Sequence, residues 1–101
     1  MGEFERVFEM KVIGKTIENE PVISGLGKLY FQEGIPLSVQ FDICKSKGLQ
    51  PSFKHLYDEL IENGMKHDRI IHLLNEHLFE SYGKEYRDEV IKRLSTTQKQ
   101  T

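Results

Sequence analysis

Residues 33–64, EGIPLSVQFDICKSKGLQPSFKHLYDELIENG, contain the start and stop signals of two consecutive helices. Pro36 suits the first turn of a helix, and Gly48 suits the position just after its end. Ser52 can cap a second helix, which Gly64 would end. The stretch therefore predicts a helix-turn-helix-like corner at residues 36–64, with helices at about 37–47 and 53–63.

The second helix of this corner has the clearest amphipathic pattern in the chain. Its apolar residues recur three and four positions apart, and charged residues occupy the opposite side. This spacing places one apolar stripe on one face of a helix, which is typical of a helix packed on a core. The stripe consists of Phe53, Leu56, Tyr57, Leu60 and Ile61.

Two more helices are predicted after the corner, at about residues 68–82 and 85–94. Asp68 is a suitable N-cap for the first of them, and Gly83 is a suitable stop. The polar residues 96–101 predict a disordered tail.

The first 33 residues predict β-structure. Apolar residues at even positions predict a strand at residues 4–12, with a short helix at residues 3–10 as the alternative. Further short strands are predicted at residues 16–17, 22–23 and 28–32, with a loop at 24–27. A small antiparallel sheet of two or three strands needs helices to cover it. We therefore predict an α+β fold with three or four helices, in a single domain at residues 1–95 that is β-rich at 1–33 and helical at 36–95.

Composition favours a small soluble protein. The chain has 101 residues, a length that suits one domain, and its 14 basic and 16 acidic residues give a net charge of -2. This balance indicates no general attraction to nucleic acid. A single cysteine excludes an intramolecular disulfide, and no apolar run approaches the roughly 20 residues that span a bilayer. We expect a cytoplasmic protein that does not contact a membrane.

The corner resembles the helix-turn-helix of winged-helix DNA-binding regulators, whose second helix enters the major groove. In this reading, DNA contacts would come from the end of the first helix and the start of the second. Asp58, Glu59 and Glu62 on the second helix would oppose a polyanion, so DNA binding is the alternative function. The candidate nucleic-acid contacts are Lys45, Lys47, Ser52, Lys54 and His55.

A shorter segment is similar to part of the alanyl-tRNA synthetases. There, a Leu-Tyr pair like Leu29-Tyr30 precedes Gly-Phe-Pro-Leu and a helix ending in Lys-Gly-Leu; here the counterparts are Gly34–Leu37 and Lys47–Leu49. The similarity covers about twenty residues and lacks the ATP-site and metal-binding motifs of that family. It implies no activity for this chain.

No residue pattern in the chain predicts catalysis, a metal or a cofactor. His72 and Glu76 lie four positions apart on a predicted helix, but no third ligand at a metal-site spacing accompanies them. Cys44 falls on an apolar stripe, where a thiol is usually buried and inert.

The most favoured function is a non-catalytic adaptor or regulatory protein that acts through protein–protein contact. The partner is unidentified, and a homodimer is one arrangement. Tyrosines near the ends of helices are residues that interfaces favour, and the last helix carries an apolar strip. The candidate interface consists of Tyr82, Tyr86, Val90, Ile91 and Leu94.

Overall fold

The computed structural model describes the backbone of residues 11–99 and the side chains of residues 11–95. This part of the chain forms β1 (Lys11–Lys15), β2 (Pro21–Ser24), α1 (Leu26–Gln32), α2 (Leu37–Ser46), β3 (Gln50–Pro51), α3 (Phe53–Glu62), α4 (His67–Tyr82) and α5 (Lys84–Lys99). The small sheet packs against the helices, so the prediction of an α+β fold is confirmed. Most of the strand predicted at residues 4–12 lies outside the described residues.

The sheet is mixed, whereas the sequence predicts an antiparallel one. β1 and β2 pair antiparallel, with an irregularity between Val12 and Gly14. β2 then pairs in parallel with β3, where Val22 lies opposite Gln50. The prediction was wrong because β3 is a two-residue strand inside the corner, too short to show any periodic pattern in the sequence. The predicted strand at residues 16–17 is replaced by the turn that joins β1 to β2.

Helix α1 replaces the strand predicted at residues 28–32. The aromatic residues Tyr30 and Phe31 favour a strand by propensity, but that preference depends strongly on tertiary context. Leu26 and Leu29 are three positions apart, so they share a helix face, and both are buried. Burial of this face favours the helix over the strand. Of the loop predicted at 24–27, only Gly25 lies outside β2 and α1, and it is the N-cap of α1.

Helix α1 packs very closely on α3 at Gly27. A Cβ atom at position 27 would lie 2.6 Å from the Cβ of Glu59. The amide of Gly27 donates a hydrogen bond of 2.9 Å to Glu59 Oε1. The absence of a side chain at Gly27 is therefore what allows the two helices to meet.

The helix-turn-helix-like corner is confirmed, and its helices end as the sequence predicts. Gly48 follows α2 with a φ angle of 70°. Its amide donates to the Lys45 carbonyl at 3.3 Å, and the Leu49 amide donates to the Cys44 carbonyl at 2.8 Å. These two bonds form the motif in which a left-handed residue ends a helix. Gly64 ends α3 in the same way, with a φ angle of 94°.

The two C-terminal helices begin one residue earlier than predicted. Lys66 occupies the N-cap of α4, so the prediction of Asp68 as the cap was wrong. Asp68 lies instead in the first turn, where its charge favours the helix dipole. Gly83 ends α4 as predicted. Helix α5 continues to Lys99, through part of the segment 96–101 predicted as a disordered tail. No helix in the described part of the chain is long and apolar enough to cross a membrane.

One hydrophobic core joins β2 to all the helices described. Phe41 is completely buried, and its ring meets that of Phe53 nearly edge-on at 5.7 Å. Every helix contributes at least one residue with no more than 7% of its surface exposed. Representative core residues, in chain order, are Ile23, Leu26, Phe41, Leu56, Leu74 and Val90.

Strand β1 lies outside this core. All five of its residues are exposed, including Val12 at 59% and Ile13 at 46%. On the neighbouring strand β2, by contrast, Ile23 is completely buried. The antiparallel hairpin β1–β2 is therefore attached to the helices through β2.

Candidate functional site

A cleft of about 480 Å³ lies between the start of α3 and the helix α5. Three further segments close it: the turn after β1, the strand β3, and the N-cap of α3. Its lining residues are Thr16, Gln50, Pro51, Ser52, Phe53, Lys54, Tyr86, Glu89, Val90, Arg93 and Leu94.

The floor of the cleft is apolar. Phe53, Val90 and Leu94 are each at least nine-tenths buried, and all three belong to the hydrophobic core. The ring of Tyr86 meets the ring of Phe53 at 5.9 Å in an edge-to-face arrangement. The Gln50 side-chain amide donates a hydrogen bond to the Tyr86 hydroxyl. The polar groups of Gln50 and Tyr86 at the floor are therefore already hydrogen-bonded to each other.

The rim of the cleft is polar, and its charges compensate one another. Lys54 Nζ lies 3.4 Å from Asp58 Oδ2 on the next turn of α3. Arg93 Nη2 lies 3.1 Å from Glu89 Oε1 on α5. These side chains are largely exposed, so water screens both pairs. The rim accordingly combines hydrogen-bonding capacity with little net charge.

Two of the five predicted nucleic-acid contacts line the cleft. Ser52 and Lys54 line the cleft, and Ser52 Oγ lies 2.8 Å from His55 Nδ1. Lys45 points toward α4 instead: its Nζ donates a hydrogen bond of 2.9 Å to the Ser81 carbonyl and lies 5.9 Å from the centre of the Tyr82 ring. Lys47, which follows α2, is exposed.

The predicted interface residues lie mostly within the protein's own core. Val90 and Leu94 are buried, and Ile91 is half-buried. The rings of Tyr82 and Tyr86 are 4.7 Å apart, on either side of Gly83. Tyr86, Val90 and Leu94 nevertheless reach the cleft, where they meet Ser52 and Lys54 from the other predicted set.

Burial raises the pKa of several groups in this region. The pKa of the Cys44 thiol rises from 9.0 to about 11 because the side chain is buried. Burial also raises the pKa of Tyr82, and it raises that of Tyr86 against the opposing effect of the hydrogen bond from Gln50. These three groups are therefore neutral at physiological pH, the opposite of an activated nucleophile.

The histidine–carboxylate pair considered as a metal site is an exposed surface contact. His72 Nε2 lies 3.7 Å from Glu76 Oε2, and both side chains are about two-thirds exposed or more. Among residues 11–95, no group of three histidine, cysteine or acidic side chains is placed to hold a metal ion.

Sequence reasoning misses about half of the cleft lining. Glu89 and Arg93 are four positions apart, so their ion pair can be inferred from the helix, although not the cleft beside it. The apolar stripe of the second helix predicts that Phe53 is a core residue. Phe53 does belong to the core, and it also lines the cleft. Thr16 and Gln50 reach the site only through strand pairing, for which the sequence carries no local signal.

Comparisons with known proteins leave the site to be interpreted from its geometry. No family model, no curated protein and no solved structure matches the chain. The residues similar to alanyl-tRNA synthetases are, in the fold, those at the end of α1 and at the two ends of α2.

Proposed function

We propose that the protein is a non-catalytic interaction module that receives a short segment of a protein partner in the cleft. The observation that carries this proposal is the apolar floor of Phe53, Val90 and Leu94 inside a polar rim. An apolar centre surrounded by polar groups is the usual anatomy of protein interfaces. A free, buried thiol at Cys44 fits a cytoplasmic location.

The expected occupant is an aliphatic or aromatic side chain on an otherwise polar segment. The charges on the rim are paired as Lys54 with Asp58 and Arg93 with Glu89, so they offer little net attraction to an ion. Burial of apolar surface on the floor would then supply most of the affinity. The exposed rim groups would contribute hydrogen bonds that fix the orientation of the segment.

The alternative proposal is DNA binding by the start of α3. It is supported by the exposed Lys54 and His55 on the second helix of the corner, where a recognition helix would present them. Fluorescence anisotropy with mixed-sequence duplex DNA tests it, at low and then moderate salt. Binding that weakens steeply with salt and is lost in Lys54→Glu would replace the interaction module with a DNA-binding protein.

Selection of random peptides on the purified protein tests the interaction module directly. Glu89→Trp would fill the cleft from its rim. We expect it to lower the affinity for the selected peptides at least about tenfold, the equivalent of about 1.4 kcal/mol. Glu89→Ala removes the pair with Arg93 without filling the cleft. Glu85→Trp places the same bulk one turn earlier on α5, outside the lining. Both controls should weaken binding much less than Glu89→Trp does.

Three outcomes would contradict this proposal. Selection could yield no peptide, or peptides that bind Glu89→Trp as well as the unaltered protein. Alternatively, sedimentation could show a dimer that Glu89→Trp dissociates, which would identify a second copy of the chain as the occupant.

A further inference from the structure

The outer edge of β1 is a second surface suited to binding, and no residue of β1 belongs to the cleft lining. The strand order is β1-β2-β3, so within residues 11–99 β1 forms one edge of the sheet. An edge strand presents backbone N–H and C=O groups that can pair with another extended chain. All five residues of β1 are exposed, and no strand within residues 11–99 pairs with its outer edge.

The apolar face of the sheet continues onto β1 beyond the reach of the helices. Val12 lies opposite Ile23 in the hairpin, so both side chains are on the same face. Ile23 is completely buried there, whereas Val12 is 59% exposed. Ile13, at the irregularity in the strand, is 46% exposed. A strand added beside β1 would cover part of this apolar surface as well as the backbone edge.

The charges of β1 indicate what kind of strand can be added. Lys11 and Lys15 stand at the two ends of the strand, and both are exposed. In an antiparallel pair with a second copy centred on Ile13, Lys11 would face Lys15 of that copy. Like charges directly opposite each other destabilise a strand pair, while opposite charges stabilise it. The edge therefore disfavours its own copy and favours an acidic strand.

We propose that β1 accepts an added strand from a protein partner whose extended segment has carboxylates toward both ends and apolar residues between them. Backbone hydrogen bonds would supply much of the affinity, and the two lysines would select the acidic ends. No residue of β1 lines the cleft, although Thr16, which follows β1, does. A failure of the proposed function would therefore leave this inference standing.

The test uses the peptide acetyl-Ser-Glu-Val-Thr-Val-Glu-Ser-amide, titrated into the isotope-labelled protein and followed through backbone amide chemical shifts. We expect saturable shifts at residues 11–15. The double variant Lys11→Glu/Lys15→Glu should weaken binding about three- to tenfold, as expected for two exposed charge pairs. The same variant should instead prefer a peptide in which both glutamates are lysine. N-methylation of alternate peptide amides should abolish binding if the backbone edge is paired.

Glu89→Trp distinguishes this surface from the cleft, because it should leave the affinity of the peptide for β1 unchanged. The inference is overturned if the peptide shifts only cleft residues, or if the lysine substitutions or the N-methylation leave its affinity unaltered. It is also overturned if the protein alone self-associates through residues 11–15, since the occupant would then be a second copy.

Discussion

The corner at residues 36–64 and the hairpin β1–β2 differ in how far they bury their apolar residues. Each helix of the corner ends at a glycine and buries an apolar stripe, with Phe41 and Leu60 completely inaccessible. The hairpin buries Ile23 on β2, while every residue of β1 stays exposed. The two regions therefore differ in how much apolar surface they bury. The corner contributes many of the core residues, whereas β1 lies outside the core and forms one edge of the sheet within residues 11–99.

The largest expected contrast between the two regions comes from removing one large side chain from each. Phe41→Ala should lower the free energy of unfolding by about 3–5 kcal/mol, because it leaves a cavity against Phe53 and Tyr82. Val12→Ala on β1 is the control and should have a small effect, since that side chain is mostly exposed. Urea denaturation measures both. Equal losses would show that β1 is part of the core after all.

The next largest effect should arise where α1 meets the corner. Gly27→Ala forces a Cβ to within 2.6 Å of the Glu59 Cβ, so the helices must separate. We expect a loss of about 1–3 kcal/mol, as for other overpacked cores. Gln32→Ala on the same helix is exposed and should be nearly neutral. An unchanged urea midpoint for Gly27→Ala would mean that α1 does not rest on α3 as described.

Alkaline pH should also weaken the corner through Cys44. Its pKa is raised from 9.0 to about 11 in the folded protein, so the unfolded chain loses the thiol proton first. The resulting contribution to stability is complete below pH 9.0 and is lost between pH 9.0 and about 11. The slope should reach at most about 1.4 kcal/mol per pH unit. Cys44→Ala should show a shallower decline over the same range, and parallel curves for the two proteins would refute the assignment.

A smaller effect is expected at the end of α2. Gly48 has a φ angle of 70°, which costs an ordinary L-residue about 1–2 kcal/mol. Gly48→Ala should therefore lower thermal and urea stability by about that amount. Gly48→Asn should cost less, because asparagine adopts this conformation more readily. If both variants cost the same, the left-handed conformation is not what ends the helix.

The smallest effect should come from the hairpin. Ile13→Thr replaces a half-exposed apolar residue with one that also suits strands, so unfolding should change by no more than about 0.5 kcal/mol. The same variant should lower the affinity of β1 for the acidic peptide, because it removes apolar surface from the edge. A large loss of stability would remove the distinction between the two regions.

The parts of the fold that could be predicted are those with local signals. Gly48, Gly64 and Gly83 each end a helix, and the chain makes this visible because few other residues adopt those backbone angles. The apolar stripe of α3 is likewise visible in the residue spacing. Strand propensity gave the wrong prediction at α1. Tyr30 and Phe31 favour a strand, but the segment is a helix that buries Leu26 and Leu29 on one face.

The candidate site was harder to predict because it depends on contacts between distant segments. The sequence predicts Tyr86 as an interface residue and Lys54 as a nucleic-acid contact. Only the fold brings these two residues to the same cleft. Gln50 reaches Tyr86 because β3 pairs with β2, which no periodicity in the sequence indicates. The spacing of residues shows which faces are apolar, but not which faces meet.

The parallel pairing of β2 with β3 also links the hairpin to the start of α3. Ile23 fills the core, and its carbonyl accepts a hydrogen bond of 2.8 Å from the amide of Ser52 at the start of α3. A fragment beginning after Ser24 would retain every described helix, yet it would lack both this side chain and the partner of β3. We therefore expect a fragment that begins after Ser24 to unfold at a lower urea concentration than a fragment that begins at Pro21.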